Sequence, residues 1–151
     1  MIVQLEVVRL FVASPDDVSR ERGELVKVVD RLNRIFERIK GIRIQLVRWE
    51  SDTYPGVGSD AQDVINSQVD DAYDVFLGIL WRRLGTPTGR AESGTVEEYT
   101  RARARFDADR ASVHIMWYFK ESSALNGVRA YPRTPAVLQA VMANCRWRSA
   151  R

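Results

Sequence analysis

The sequence predicts an α/β fold, a parallel sheet of four to five strands with helices on both faces. Two observations carry this. Short β-branched apolar runs alternate with longer stretches of helical periodicity, in the order strand, helix, strand, helix, strand, helix, strand, helix. One of those runs, residues 74–81, is apolar along nearly its whole length, as a strand covered on both faces must be.

The first run, residues 7–13, ends at Ser14-Pro15-Asp16-Asp17, which reads as a helix start. Ser14 suits the cap, Pro15 the first turn, and Asp17 a capping-box-like partner. Leu25, Val28, Val29, Leu32, Ile35, Phe36 and Ile39 then recur at helical spacing to about Lys40, and Gly41 ends the helix. Ile42, Ile44 and Leu46 alternate with Arg43, Gln45 and Val47 as a second strand before Trp49-Glu50. Residues 51–58, with Tyr54, Pro55, Gly56 and Gly58, form a loop, and Asp60 precedes a second helix marked by Ala61, Val64, Ile65, Val69 and Ala72. After the third strand at 74–81, Gly85, Pro87 and Gly89 mark another loop. Gly94-Thr95 then opens a helix through Val96, Tyr99, Ala102 and Phe106. Residues 112–119 make the fourth strand, and Pro135 opens a last helix through Val137, Leu138, Val141, Met142 and Cys145.

Length and composition narrow the classes. The chain has 151 residues, 45% hydrophobic and 28% charged, so it is expected to form a single domain over 1–151. No run approaches the length that crosses a bilayer, and the start lacks the basic segment and cleavage site of a signal peptide, so a cytoplasmic protein without membrane contact is expected. One cysteine, Cys145, excludes an internal disulfide, and one histidine, His114, excludes the usual His-rich metal clusters, so no metal is expected. Residues 101–151 carry 10 basic and 3 acidic side chains, with a basic C-terminal helix and tail at 134–151. No nucleic-acid reader motif accompanies that charge. Arg101, Arg103, Arg105 and Arg110 read as a solvated helix face, so direct nucleic-acid binding is not expected.

In a parallel sheet with right-handed crossovers, ligands sit beyond the carboxyl ends of the strands. That rule gathers the segments 14–17, 49–58, 81–93 and 120–133 around one cleft. Ser14 and the amides up to Asp17 offer a hydroxyl and N–H groups that suit phosphate, although a capped helix alone explains them equally well. Ser93-Gly94-Thr95-Val96-Glu97-Glu98-Tyr99 puts two carboxylates in the first turn of a helix at the cleft edge. There they are stabilised by the helix dipole, or one faces inward to stabilise an oxocarbenium-like centre. Helical spacing turns Glu97 and Glu98 about 100° apart, so one of the two is expected inside, without a choice between them. Trp49, Tyr54 and Trp81, at or just past strand ends, offer aromatic faces for a base. There is no Walker A sequence and no G-x-G-x-x-G, which excludes an ordinary P-loop ATPase and dinucleotide dehydrogenase.

The stretches Phe11-Val12-Ala13-Ser14-Pro15-Asp16-Asp17-Val18, Trp49-Glu50-Ser51-Asp52-Thr53-Tyr54-Pro55-Gly56, and Asp74-Val75-Phe76-Leu77-Gly78-Ile79-Leu80-Trp81-Arg82-Arg83-Leu84-Gly85-Thr86-Pro87-Thr88-Gly89, followed by Ser93-Gly94-Thr95-Val96-Glu97-Glu98-Tyr99, together resemble a TIR-like domain family of bacterial signalling and defence proteins, commonly placed before STAND-type NTPases. The resemblance covers about residues 5–120. It implies a flavodoxin-like sheet and a distant similarity to TIR domains that cleave NAD and to nucleoside 2-deoxyribosyltransferases. Gly94-Thr95-Val96-Glu97-Glu98 is similar to the Gly-Thr-x-x-Glu pattern of those transferases, which implies Glu98 as the catalytic carboxylate. The Trp-Cys pair that usually precedes the catalytic Glu of TIR enzymes has no counterpart here. The resemblance further implies nucleotide contacts at Ser14, Asp17, Trp49, Tyr54, Trp81, Gly85, Thr86, Ser93 and Thr95. NAD or a related nucleotide would be the substrate or ligand and not a resident cofactor. Two functions are expected to compete: N-glycosidic hydrolysis in antiphage signalling, and a non-catalytic module that senses a nucleotide or assembles with itself or with other TIR-like and STAND NTPase proteins.

Overall fold

A computed structural model of the chain describes residues 4–47, 72–81 and 93–120. All of them belong to the compact unit Met1–Lys120. The elements are β1 (Glu6–Ala13), a 3-10 turn (Asp16–Val18), α1 (Ser19–Lys40), β2 (Ile42–Val47), β3 (Val75–Leu80), α2 (Gly94–Ala108) and β4 (His114–Phe119). The four strands form one sheet in the order β2-β1-β3-β4, with every neighbouring pair parallel. This is the parallel α/β sheet that the alternation of short strands and helices predicts, and it fits the flavodoxin-like form that the resemblance implies. The last helix and loop expected beyond residue 120, and the helix expected after Asp60, lie outside the described residues.

The strand period of two assigns each side chain to a face. Phe11, Phe76 and Trp117 share one face, because Phe11 is in register with Phe76 and Gly78 with Trp117. Tyr99 of α2 packs there, with ring centroids 6.1 Å from Phe76 and 5.3 Å from Trp117. The neighbouring positions Val12, Leu77 and Ile79 point the other way. They form a core cluster with Val18, against which Leu25 of α1 and Met116 of β4 pack. The two helices therefore cover opposite faces, as right-handed crossovers that run in opposite directions along the sheet, β1 to β2 and β3 to β4, require.

α1 ends as the sequence predicts. Gly41 takes the left-handed conformation at φ 66°, and its N–H donates to the Phe36 carbonyl. α1 is tied to β2 by Asn33, whose amide donates to the Ile44 carbonyl at 2.9 Å and accepts from the Ile44 N–H at 2.7 Å. The apolar stripe of α1 is wider than its contact with the sheet. Val28, Ile35, Phe36 and Ile39 are exposed on its flank. Leu25, Val28 and Leu32 form one wall of an apolar groove of about 600 Å³, whose floor includes Leu77, Ile79, Met116 and Tyr118.

Arg105 departs from the solvated face expected of the α2 arginines. Its Nη2 donates to the carbonyls of Tyr73 (3.0 Å) and Ser112 (2.8 Å), and its guanidinium lies 4.6 Å from the Tyr73 ring centre. A planar cation thus bridges two carbonyls, one just before β3 and one just before β4. Arg103 does fit the expectation, exposed and paired with Asp107 at 2.9 Å.

Candidate functional site

The carboxyl ends of β1 and β3 and the amino-terminal turn of α2 define one edge of the sheet, because α2 ends close to where β4 begins. Interiors reject polar groups that are not paired. Even so, the buried polar and charged side chains among the described residues concentrate at this edge: Ser14, Arg22, Ser93, Thr95, Glu97 and Glu98, each at least nine-tenths buried. Ser93 is the cap of α2, its hydroxyl accepting from the Val96 N–H at 3.2 Å, while its carbonyl accepts from the Glu97 N–H at 3.0 Å.

Both carboxylates that follow are inside, Glu97 at 9% and Glu98 at 7% exposure, where one was expected. The stripe Val96, Tyr99 and Ala102 is buried as the periodicity predicts. Tertiary packing covers a wider arc of the first turn than the apolar positions mark out. The helix dipole favours negative charge at this terminus.

Ser14 departs from its expected role. α1 begins at Ser19 with Val18 at its cap position, the preceding 3-10 turn has Pro15 at its cap position, and neither start carries a side-chain cap. The Ser14 hydroxyl instead accepts from Nη1 of Arg22 at 2.9 Å, and the same nitrogen donates to the carbonyls of Ser14 (3.1 Å) and Pro15 (2.8 Å). A charged donor outcompetes a peptide N–H for the oxygen. Arg22 is the site residue that sequence reading missed. Its position in α1, at the end of the polar stretch Ser19-Arg20-Glu21, carries no periodic signal that distinguishes it from its exposed neighbours.

Trp81 is placed at the end of β3 as expected, but on the α1 face, partly buried against the Val12 and Leu77 cluster. The Lys120 ammonium lies 4.3 Å from its ring centre and also bonds Glu21 of α1 at 2.5 Å. One ring face is thus taken by a cation from within the unit. The Lys120 bond holds the Glu21 carboxyl below the usual carboxylate range. Asp17 sits in the 3-10 turn and is half-buried. His114 is exposed at the amino end of β4, the edge opposite the cleft. Trp49, Tyr54, Gly85 and Thr86 lie outside the described residues.

Among the described residues no group of three or more His, Cys, Asp or Glu side chains is placed to hold a metal ion, and no helix is long and apolar enough to cross a membrane. Fold and edge together define a doubly wound α/β domain with a set of buried polar side chains at its carboxyl edge. Comparisons with family models, curated proteins and solved structures find no match.

Proposed function

We propose that the chain is a TIR-like nucleotide-binding effector domain that cleaves the N-glycosidic bond of NAD or a related nucleotide, acting in bacterial signalling or defence. The observation that supports this most is the burial of Glu97 and Glu98 beside Ser93 and Thr95 at the carboxyl edge of the sheet, where doubly wound folds take their ligands. Buried carboxylates are costly to keep and suit a site where positive charge develops. In the proposed reaction the bond between the ribose anomeric carbon and the nicotinamide nitrogen breaks. The electron pair leaves with nicotinamide, which becomes neutral, and Glu98 stabilises the resulting oxocarbenium centre. Water then adds to the anomeric carbon and releases a proton, giving ADP-ribose. Ser93, Thr95 and this carboxylate are buried together at the start of α2.

The test is nicotinamide release from NAD at high protein concentration, with Glu98→Gln beside the wild type. Release confined to the wild type supports the reading; no release from a folded, concentrated wild type rejects it. A second reading, a non-catalytic sensing or assembly module, is favoured by one feature, the exposed apolar flank of α1 at Val28, Ile35, Phe36 and Ile39. Concentration-dependent association seen by sedimentation without turnover would select it.

A further inference from the structure

We propose that the outer flank of α1 docks an acidic amphipathic helix of a partner protein. The inference names the partner chemistry for the assembly reading above and rests on the exposed α1 flank that favours it. Leu25, Val28, Leu32, Ile35 and Ile39 follow one another at steps of three, four, three and four residues, the spacing of a seam between helices. Val28 and Ile35 are 45% exposed and Ile39 is 62% exposed, whereas Val29 is buried against the sheet. The seam is therefore a second apolar row beside the one that the sheet covers, and from Leu25 to Ile39 it runs for about 21 Å.

A basic row adjoins it. Arg20, Lys27, Arg31, Arg34 and Arg38 are exposed on α1. At about 100° per residue, Arg31 and Arg38 stand roughly 60° and 80° from Val28 around the helix axis, on the side away from the sheet. The carboxylates of α1 do not neutralise this row. Glu21 bonds Lys120, Glu37 bonds Arg43, and Glu24 is spent on Lys27. Asp30 stands about 160° from Val28, beyond Arg34. Arg31, Arg34 and Arg38 have no ion pair among the described residues.

Shape and charge choose the occupant. The amino-terminal half of the seam is the wall of the apolar groove over Leu77, Ile79, Met116 and Tyr118, and a trough between a helix and a sheet takes a rod more closely than a plane. Charges that flank a seam set which helix pairs with it, so arginines along one edge require Asp or Glu on the partner. Two copies of this chain that met through the same row would each bring the same arginines and no unspent carboxylate of α1 at its edge. A bilayer needs the apolar face of a helix to sink below its headgroups, and here the centre of that face is held by the sheet at Val29. A nucleic-acid duplex would meet the arginines and leave the aliphatic row in water.

The experiment is calorimetric titration of the full chain with two synthetic helical peptides of three heptads each. The peptides share one Leu seam, flanked by Glu in the first and by Lys in the second, and like flanking charges keep each from pairing with itself. The wild type is expected to bind the Glu peptide at least roughly tenfold more tightly than the Lys peptide. Arg31→Glu combined with Arg38→Glu should reverse that preference, and Ile35→Asp should abolish binding of both, each variant being checked for native circular dichroism. Where Ile35→Asp fails to fold, the charge reversal decides. No binding of the Glu peptide, equal affinity for both peptides, or an unchanged preference in the doubly substituted chain would each overturn the proposal. Phosphatidylserine vesicles or duplex DNA held more tightly than the Glu peptide, and released by the same double substitution, would assign the row to a bilayer or to nucleic acid and overturn it too. Self-association abolished by Ile35→Asp, without peptide binding, would keep the assembly reading and reject the acidic helix. Selective binding of the Glu peptide by a chain that also releases nicotinamide would keep the docking surface and reject the non-catalytic reading.

Discussion

Gly78 of β3 lies beneath the indole of Trp117 on β4, so close that a Cβ at position 78 would overlap the six-membered ring. The two residues are in register across the parallel ladder. Trp117 in turn packs edge-on against Phe76 and Tyr99, at 5.7 and 5.3 Å between ring centres. The glycine is thus the space in which the α2 face of the sheet seats its largest side chain. Gly78→Ala is expected to destabilise the fold by about 1–3 kcal/mol through overpacking, read as a fall in the urea midpoint. Combining it with Trp117→Leu, which vacates the ring, should cost less than the sum of the two single changes.

Arg105 and its two carbonyls predict a second stability effect. Arg105→Ala should cost about 1–3 kcal/mol, because the Tyr73 and Ser112 carbonyls both lose a charged donor in a part-buried setting. Arg103→Ala, on the exposed side of the same helix, should change stability by less than about 0.5 kcal/mol. Equal effects in chemical denaturation would contradict the assignment of Arg105 as an internal clasp.

The Glu21 carboxyl is held below its ordinary value of 4.5 by its bond to Lys120. A group with a depressed folded pKa contributes stability above its unfolded pKa and loses it as pH falls through the folded value. The wild type should therefore lose a small increment of stability on acidification from about pH 5 downward that Glu21→Gln does not lose. The pair is substantially exposed, so the increment should shrink in 1 M salt.

For the proposed reaction, Glu98→Gln should lower nicotinamide release by at least about a hundredfold. Glu97→Gln should keep activity within about tenfold of the wild type. The reverse order of the two rates would move the catalytic role to Glu97.

Asn33→Ala should cost about 1–3 kcal/mol, because it leaves the Ile44 N–H and carbonyl without their partner. Asn33→Asp should recover only the acceptor half of that contact. Hydrogen exchange at the Ile44 amide would report it directly.

Elements whose cause is local were legible in the sequence. Gly41 as a helix end, the alternation from Ile42 to Val47, the unbroken apolar run of β3 and the helix start at Gly94-Thr95 each follow from residues adjacent in the chain. What escaped depends on groups distant in sequence. Arg22 reads as one more charge in a polar first turn, and only its eight-residue reach back to Ser14 makes it internal. The same holds for Arg105, whose acceptor at Tyr73 is 32 residues away. Lys120 meets Glu21 across 99 residues, and no periodicity could have paired them or shown that one face of Trp81 is occupied. At the α2 start, the helical wheel separated Glu97 from Glu98, whereas the packing around that turn encloses both.

The contact between Asn33 and Ile44 has a consequence for how the sheet can lengthen. Ile44 is in register with Val8 of β1, and its N–H and carbonyl, both spent on the Asn33 amide, face away from that strand. The outer edge of β2 therefore carries a side-chain plug at its midpoint, which interrupts the row of donors and acceptors that an incoming strand would need. A strand that paired with β2 along this edge would first have to displace the Asn33 amide from Ile44.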